Sequence, residues 1–256
     1  MFYSAMRLLP DTTIPTYLVE SQHEANEMLV LEISKLLSAR NDRATLGLAT
    51  GSSPIGLYTE LVRRHRAGEL SLKDVQTFNL DEYMGLTPDH PASYRAFMSE
   101  HLFRGTDLDL KKTHFPPSDE SELEAACANW ESSIQAAGGI DWQLLGVGRN
   151  GHIGFNEPGS PFDSRTRRIE LAESTREANA RFFESMDEVP RYAVTMGVGT
   201  ILEARRLRVL AFGETKAHIL ERVLHGEDDK SIPLNALRGH PDAALYIDAA
   251  AAARIG

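Results

Sequence analysis

Short apolar runs that do not alternate with polar residues constrain the fold of this chain more than any other feature. They occupy residues 17–19 (YLV), 45–50 (TLGLAT), 75–80 (VQTFNL), 142–147 (WQLLGV), 207–212 (LRVLAF) and 243–247 (AALYI). A strand with one wet face reads apolar-polar-apolar, whereas a strand that is apolar throughout is covered on both faces, as in a parallel sheet. The segments between the runs supply the covers. Ser21 and Glu24 have the spacing of a capping box, and Ala25, Leu29, Ile33, Leu36 and Leu37 follow at helical period. Residues 54–67 place Leu57, Leu61 and Val62 on one helical face, and residues 121–137 do the same with Leu123, Ala126, Cys127, Trp130 and Ile134. The expectation is an α/β fold, a doubly wound and mostly parallel Rossmann-like sheet with helices on both faces. No linker, repeat or composition shift divides the 256 residues, so they read as a single domain.

Composition narrows the partners. A formal charge of −10 argues against a general nucleic-acid binder, and no apolar run approaches the roughly 18 residues of a membrane span. One cysteine, Cys127, excludes an intrachain disulfide framework and a cysteine-based zinc site. The first residues, MFYSAMRLLPDTT, carry no export pattern, which makes the cytoplasm the expected location.

In open α/β sheets ligands bind beyond the carboxyl ends of the strands, so the residues after each run carry the functional reading. After residues 45–50 come Thr50, Gly51, Ser52 and Ser53, with Ser53 placed to cap a helix that Pro54 opens. Free N–H groups and hydroxyls at such a turn suit an anion; an ordinary strand-to-helix turn fits the same residues equally well. It is not a nucleotide P-loop, because Leu57-Tyr58 stands where Lys-Ser/Thr is required. After residues 75–80 come Asp81 and Glu82, of which at most one can face a site; alone, the pair reads more readily as helix capping or solvent-exposed charge than as a general base. Residues 146–159 (GVGRNGHIGFNEPG) contain G-x-G-x-x-G, but Gly154, Pro158 and Gly159 follow where a dinucleotide fold needs a helix. What remains is a glycine-rich loop presenting Asn150, His152 and Glu157, an imidazole with orienting partners. Arg181 and Lys216 add two cations after later elements.

Taken together, LATGSSPIGLY, TFNLDEYMGL, PASYRAFM, GVGRNGHIGFNEPGSPFDSRTR, STREANARFF and MGVGT resemble the glucosamine-6-phosphate deaminase family, in order across residues 7–241. The resemblance implies conversion of glucosamine 6-phosphate and water to fructose 6-phosphate and ammonium, with no metal or organic cofactor. It implies that Asp81 takes the C2 proton and that His152 opens the pyranose ring. Glu157 and Asn150 would orient and tune the histidine, while Thr50, Gly51, Ser52, Ser53, Arg181 and Lys216 would hold the phosphate. A lid at about 160–183 would carry Arg181 over the substrate. Many relatives have Asp at the position of Asn150, which bears on pH dependence. The hexameric, allosterically activated relatives use a basic pair of which Arg167 matches one member; Ile169 stands where a lysine is expected, so activation by N-acetylglucosamine 6-phosphate is not expected. The assembly reads as monomer or homo-oligomer. The rivals are a 6-phosphogluconolactonase, whose histidine is typically followed by an Ala-Ser-Leu-Phe-Pro-like run in place of Ile-Gly-Phe-Asn-Glu-Pro, and a sugar-phosphate-sensing regulator, which would need a DNA-binding segment.

Overall fold

A computed structural model describes residues 7–41, 43–118, 122–180 and 183–255. Its centre is an eight-stranded sheet. The strands are β1 (Arg7–Leu8), β2 (Thr16–Leu18), β3 (Thr45–Leu48), β4 (Gln76–Asn79), β6 (Thr113–His114), β7 (Trp142–Gly146), β10 (Leu207–Ala211) and β11 (Ala243–Ile247). They lie in the order β1-β2-β11-β10-β7-β3-β4-β6, all parallel except the β1–β2 pair. Every residue of β3, β10 and β11 is buried, as the unbroken apolar runs require of a sheet covered on both faces.

The covers are amphipathic helices. Helix α1 (Gln22–Ala39) starts where the capping box places it, with the Ser21 hydroxyl accepting from the Glu24 N–H at 3.2 Å, and buries Leu29, Val30, Ile33 and Leu37. Helix α2 (Ile55–Arg66) buries Leu57, Tyr58 and Leu61, and α4 (Leu123–Ala136) buries Cys127, Trp130 and Ile134. Each large aliphatic or aromatic side chain taken out of water contributes about 1.5–3 kcal/mol. The cap of α2 departs from expectation. Pro54, itself in helical conformation, is the capping residue, and no side chain caps the helix. Ser53 therefore does not cap it.

A second, smaller sheet was not visible as runs. Strands β5 (Asp81–Tyr83), β9 (Tyr192–Thr195) and β8 (Arg167–Glu170) form it, antiparallel, in the order β5-β9-β8. The chain turns from one sheet to the other at Leu80, whose N–H donates to Leu48 in the main sheet and whose carbonyl accepts from Met196. Asp81 thereby starts the small sheet at the carboxyl edge of the large one, opposite Thr195. Among the described residues no helix is long and apolar enough to cross a membrane.

Candidate active site

The strands β10, β7, β3 and β4 are parallel neighbours, so their carboxyl ends share one edge. Along it stand the turn of Gly213 and Lys216, the loop 147–159, the turn of Thr50–Ser53, and Asp81. The residues singled out after separate runs are thus brought to one place by topology alone.

Asp81 and Glu82 part as strand alternation demands. Glu82 turns to α3 (Tyr94–His101), where its carboxylate accepts the N–H groups of Tyr94 at 2.9 Å and Arg95 at 3.0 Å, and of Tyr83 at 2.9 Å. It satisfies free N–H groups at a helix start, while burial raises its carboxyl above the usual glutamate range. Asp81 is 6% exposed, and its carboxyl accepts no hydrogen bond among the described residues. Burial, with the Glu82 charge second, pushes it up to about 8. Its Oδ2 faces Gly154: a Cβ built there would lie 3.4 Å from Oδ2 and 3.0 Å from the Thr195 hydroxyl, and Gly154 has a φ of +56°. A side chain at that position would be strained and would crowd the carboxyl.

The loop after β7 folds back on itself, with the Gly148 N–H donating to the His152 carbonyl at 2.9 Å and the Gly151 N–H to Gly148 at 3.1 Å. The imidazole lies so close over Gly148 that a Cβ there would sit 2.3 Å from its Cε1. This explains the glycine spacing without a dinucleotide, and no helix follows in the loop. His152 Nδ1 stands 3.3 Å from Oε1 of Glu157. Glu157 also accepts from Asn150 Nδ2 at 2.7 Å and from the Thr175 hydroxyl at 3.1 Å. Burial raises this carboxyl, but hydrogen bonding and charge from His152, then Asn150 and Thr175, outweigh it and hold it below the usual carboxylate range. Asn150 does not touch the ring: its Oδ1 accepts the His152 backbone N–H at 3.2 Å, so it acts on the imidazole through Glu157.

Thr50 and Ser53 are half-buried, and Gly51, with a φ of +97°, and Ser52 are exposed. Among the described residues the N–H groups of Ser52 and Ser53 donate to no protein acceptor. Lys216 has no carboxylate partner there either; burial, and secondly the charge of Arg149, push it below the usual lysine range. Arg181 lies outside the described residues. Arg149, unforeseen from sequence, stands in the turn after β7, between the turns that carry Thr50 and Lys216 on the flanking strands. Also unforeseen is an aromatic wall. Tyr83, Tyr94 and Phe155 pack with ring centres 4.9–6.0 Å apart. The Y of D-E-Y and of S-Y-R was the available signal. A cleft of about 910 Å³ lies elsewhere, between α4 and β8. Among the described residues no cluster of three His, Cys, Asp or Glu side chains could hold a metal ion.

Comparison with known proteins places this geometry among relatives. A family model for glucosamine-6-phosphate isomerases and 6-phosphogluconolactonases matches residues 19–246. The chain is 51% identical over 213 residues to the glucosamine-6-phosphate deaminase of Rhodopirellula baltica, covering 83% of this chain and 85% of the relative. To glucosamine-6-phosphate deaminase 2 of Bacillus subtilis it is 45% identical over 240 residues, covering 93% and 96%. Among solved structures, a monomeric glucosamine-6-phosphate deaminase superposes with a TM-score of 0.89 at 40% identity, covering 93% of this chain and 99% of the other. The 6-phosphogluconolactonase of Trypanosoma brucei, at 19% identity and a TM-score of 0.73, shares the fold.

Proposed function

The chain belongs to the family of glucosamine-6-phosphate isomerases and 6-phosphogluconolactonases, and from that premise we propose how its site works. The enzyme is a glucosamine-6-phosphate deaminase, releasing fructose 6-phosphate and ammonium from glucosamine 6-phosphate and water. One observation carries the assignment of roles: a buried, unpartnered carboxyl poised near neutrality, Asp81, shares a strand edge with an imidazole backed by an ionised carboxylate, His152–Glu157. Lactone hydrolysis needs one base for one water and leaves Asp81 without a task. Deamination needs both.

Ring opening moves a proton from the C1 hydroxyl to the ring oxygen, work for an imidazole at neutral pH. Glu157 stands against Nδ1, and the sugar is assigned to Nε2. Asp81 then takes the C2 proton, and protonating the enolamine at C1 sets up loss of the amine to water. The substrate's own ammonium group at C2 offsets the burial of Asp81 and favours its ionised form. The phosphate, remote from the reacting carbons, anchors the open chain. We assign it to the Thr50–Ser53 turn, Lys216 and Arg181, with Arg149 in the turn between those of Thr50 and Lys216. The partner is the small-molecule substrate, the assembly a monomer or homo-oligomer, and the reaction belongs to the cytoplasm. Ammonium release from glucosamine 6-phosphate, assayed against hydrolysis of 6-phosphogluconolactone, tests the reading.

Lys216→Ala is expected to raise KM about 10- to 100-fold, since a charge-assisted hydrogen bond contributes about 1.5–3 kcal/mol. Unphosphorylated glucosamine should be a very poor substrate. Equal turnover of the two sugars would remove the phosphate assignment.

Closure is assigned to part of the segment 160–183. Residues 164–170 are tied down: the Val198 N–H donates to the Ser164 hydroxyl at 3.0 Å, the Thr166 N–H to Glu131 at 2.6 Å, and β8 pairs with β9. Thr175 links to Glu157, and Arg176 donates to the carbonyls of Met186 and Val189, both at 3.2 Å, contacts that hold helix α5 (Glu173–Asn179) in place here; closure is assigned to that helix. Its amides should gain protection from hydrogen exchange when fructose 6-phosphate binds. Unchanged exchange along α5 would reject the lid.

A further inference from the structure

We propose that Arg167 is a positioning residue for the deamination, fixing the loop segment between His152 and Glu157 by way of Asn156. The proposal rests on the deaminase reading above and extends it to a residue that never meets the substrate.

The contacts are specific. Arg167 opens β8; its Nη1 donates to Oδ1 of Asn156 at 2.9 Å and its Nη2 to the Ser160 hydroxyl at 3.3 Å. These two partners bracket Glu157 in sequence. Asn156 is wholly buried, and its Nδ2 donates to the carbonyls of Ile153 at 3.0 Å and Met196 at 2.8 Å. Both amide donors are thus committed to backbone on either side of the loop, and Arg167 takes the remaining acceptor. The side-chain amide becomes a three-way clamp on the chain that joins the imidazole to its carboxylate. Register adds to this. Arg167 stands opposite Thr195, which stands opposite Asp81 and accepts the Phe155 N–H at 3.2 Å, so one row across the small sheet braces both catalytic groups.

The choice of arginine is costly here. Its neighbours find charge or a ring: Arg165 pairs with Glu131 and Glu203, and Arg168 lies over the Tyr192 ring at 4.7 Å. Among the described residues Arg167 has no carboxylate, and all its acceptors are neutral: Asn156, Ser160 and, at 3.4 Å, the Arg165 carbonyl. A half-buried guanidinium without a counter-charge is held against its desolvation, which also lowers its pKa. An apolar side chain of similar length would fill the space at lower cost but could not hold Asn156. A residue retained at the expense of stability, bound to the loop that carries the reaction, fits a role in turnover. Arg167 also lines the cleft between α4 and β8, which gives small solutes a route to it.

Three variants test this. Arg167→Met should keep or raise Tm, lower kcat roughly 10- to 100-fold, as loop misplacement of about 1 Å can, and leave KM within about twofold. Amides of residues 150–157 should exchange faster in it. Arg167→Lys should recover part of kcat. Arg167→Ala should regain activity when millimolar guanidinium is added, a response also readable if the methionine variant fails to fold. Wild-type kcat in a folded Arg167→Met, a matching rise in KM, or no guanidinium response in Arg167→Ala would overturn the proposal. Wild-type enzyme that releases no ammonium would instead overturn the deaminase reading, while unchanged exchange at residues 150–157 would overturn the brace whatever the substrate.

Discussion

Asp81→Asn is expected to abolish ammonium release and exchange of the C2 hydrogen with solvent while making the protein more stable at pH 8. Both effects follow from one environment. The amide keeps the shape of the carboxyl but cannot accept a proton from carbon, so the loss should reach or exceed the roughly 10²–10⁴-fold typical of a general base. The stability gain has a definite sign. Burial raises the folded-state pKa of Asp81 from 3.8 to about 8, so between those values the folded protein binds more protons than the unfolded one, and stability falls as pH rises. Each pH unit in that window costs the folded state up to about 1.4 kcal/mol. The asparagine variant is free of that cost. Its Tm advantage should therefore be small near pH 4 and largest above pH 8. In the wild type, kcat/KM should climb through an acid limb centred near 8, where the free enzyme's base ionises. An Asp81→Asn protein that still exchanges C2–H at the wild-type rate would remove Asp81 from the mechanism, and a Tm difference that does not grow with pH would remove the burial argument.

His152→Gln should lower kcat by roughly 10²–10⁴-fold yet leave C2–H exchange working on whatever open-chain sugar forms spontaneously. The asymmetry with Asp81 is the point. Ring opening proceeds in water at a finite rate, whereas abstraction of a carbon-bound proton does not proceed usefully without a base. Glu157 marks which nitrogen is proposed to act: its carboxylate, held below the usual range by the imidazole, Asn150 and Thr175, stands 3.3 Å from Nδ1, which leaves Nε2 for the sugar. A His152→Gln enzyme that turns over normally, or one in which exchange disappears together with turnover, would contradict the division of labour.

The main sheet could be read from the sequence because its strands are buried on both sides, so that physics wrote unbroken apolar runs at 45–50, 142–147, 207–212 and 243–247. The small sheet left no such mark. Strand β8 (RRIE) alternates half-buried and exposed residues, and β5 is the acidic DEY that reads as a loop or cap. What betrays β5 is the burial of both its acids, which only the folded chain reveals. Looking past strand ends singles out Thr50, Asp81, His152 and Lys216, which the fold brings to one edge because parallel strands carry their carboxyl ends there. Arg149, Thr175 and Arg167 were not assigned roles that way. Thr175 reaches Glu157 across 18 positions through a helix, and Arg167 acts through an asparagine. Asn150 is expected to orient and tune His152; its contacts are to Glu157 and to the His152 backbone N–H, because the loop turns back at Gly151 and brings the His152 amide to the asparagine.

The central claim is that one edge of the sheet holds a base for carbon and an acid–base for the ring, and that together they deaminate an amino-sugar phosphate. The most direct measurement follows glucosamine 6-phosphate by NMR with the wild-type enzyme and with Asp81→Asn, reading ammonium and sugar product together. The account predicts ammonium and fructose 6-phosphate in equal amounts from the wild type and neither from the variant. Absence of ammonium with the wild type, or its release at the wild-type rate by Asp81→Asn, would contradict it.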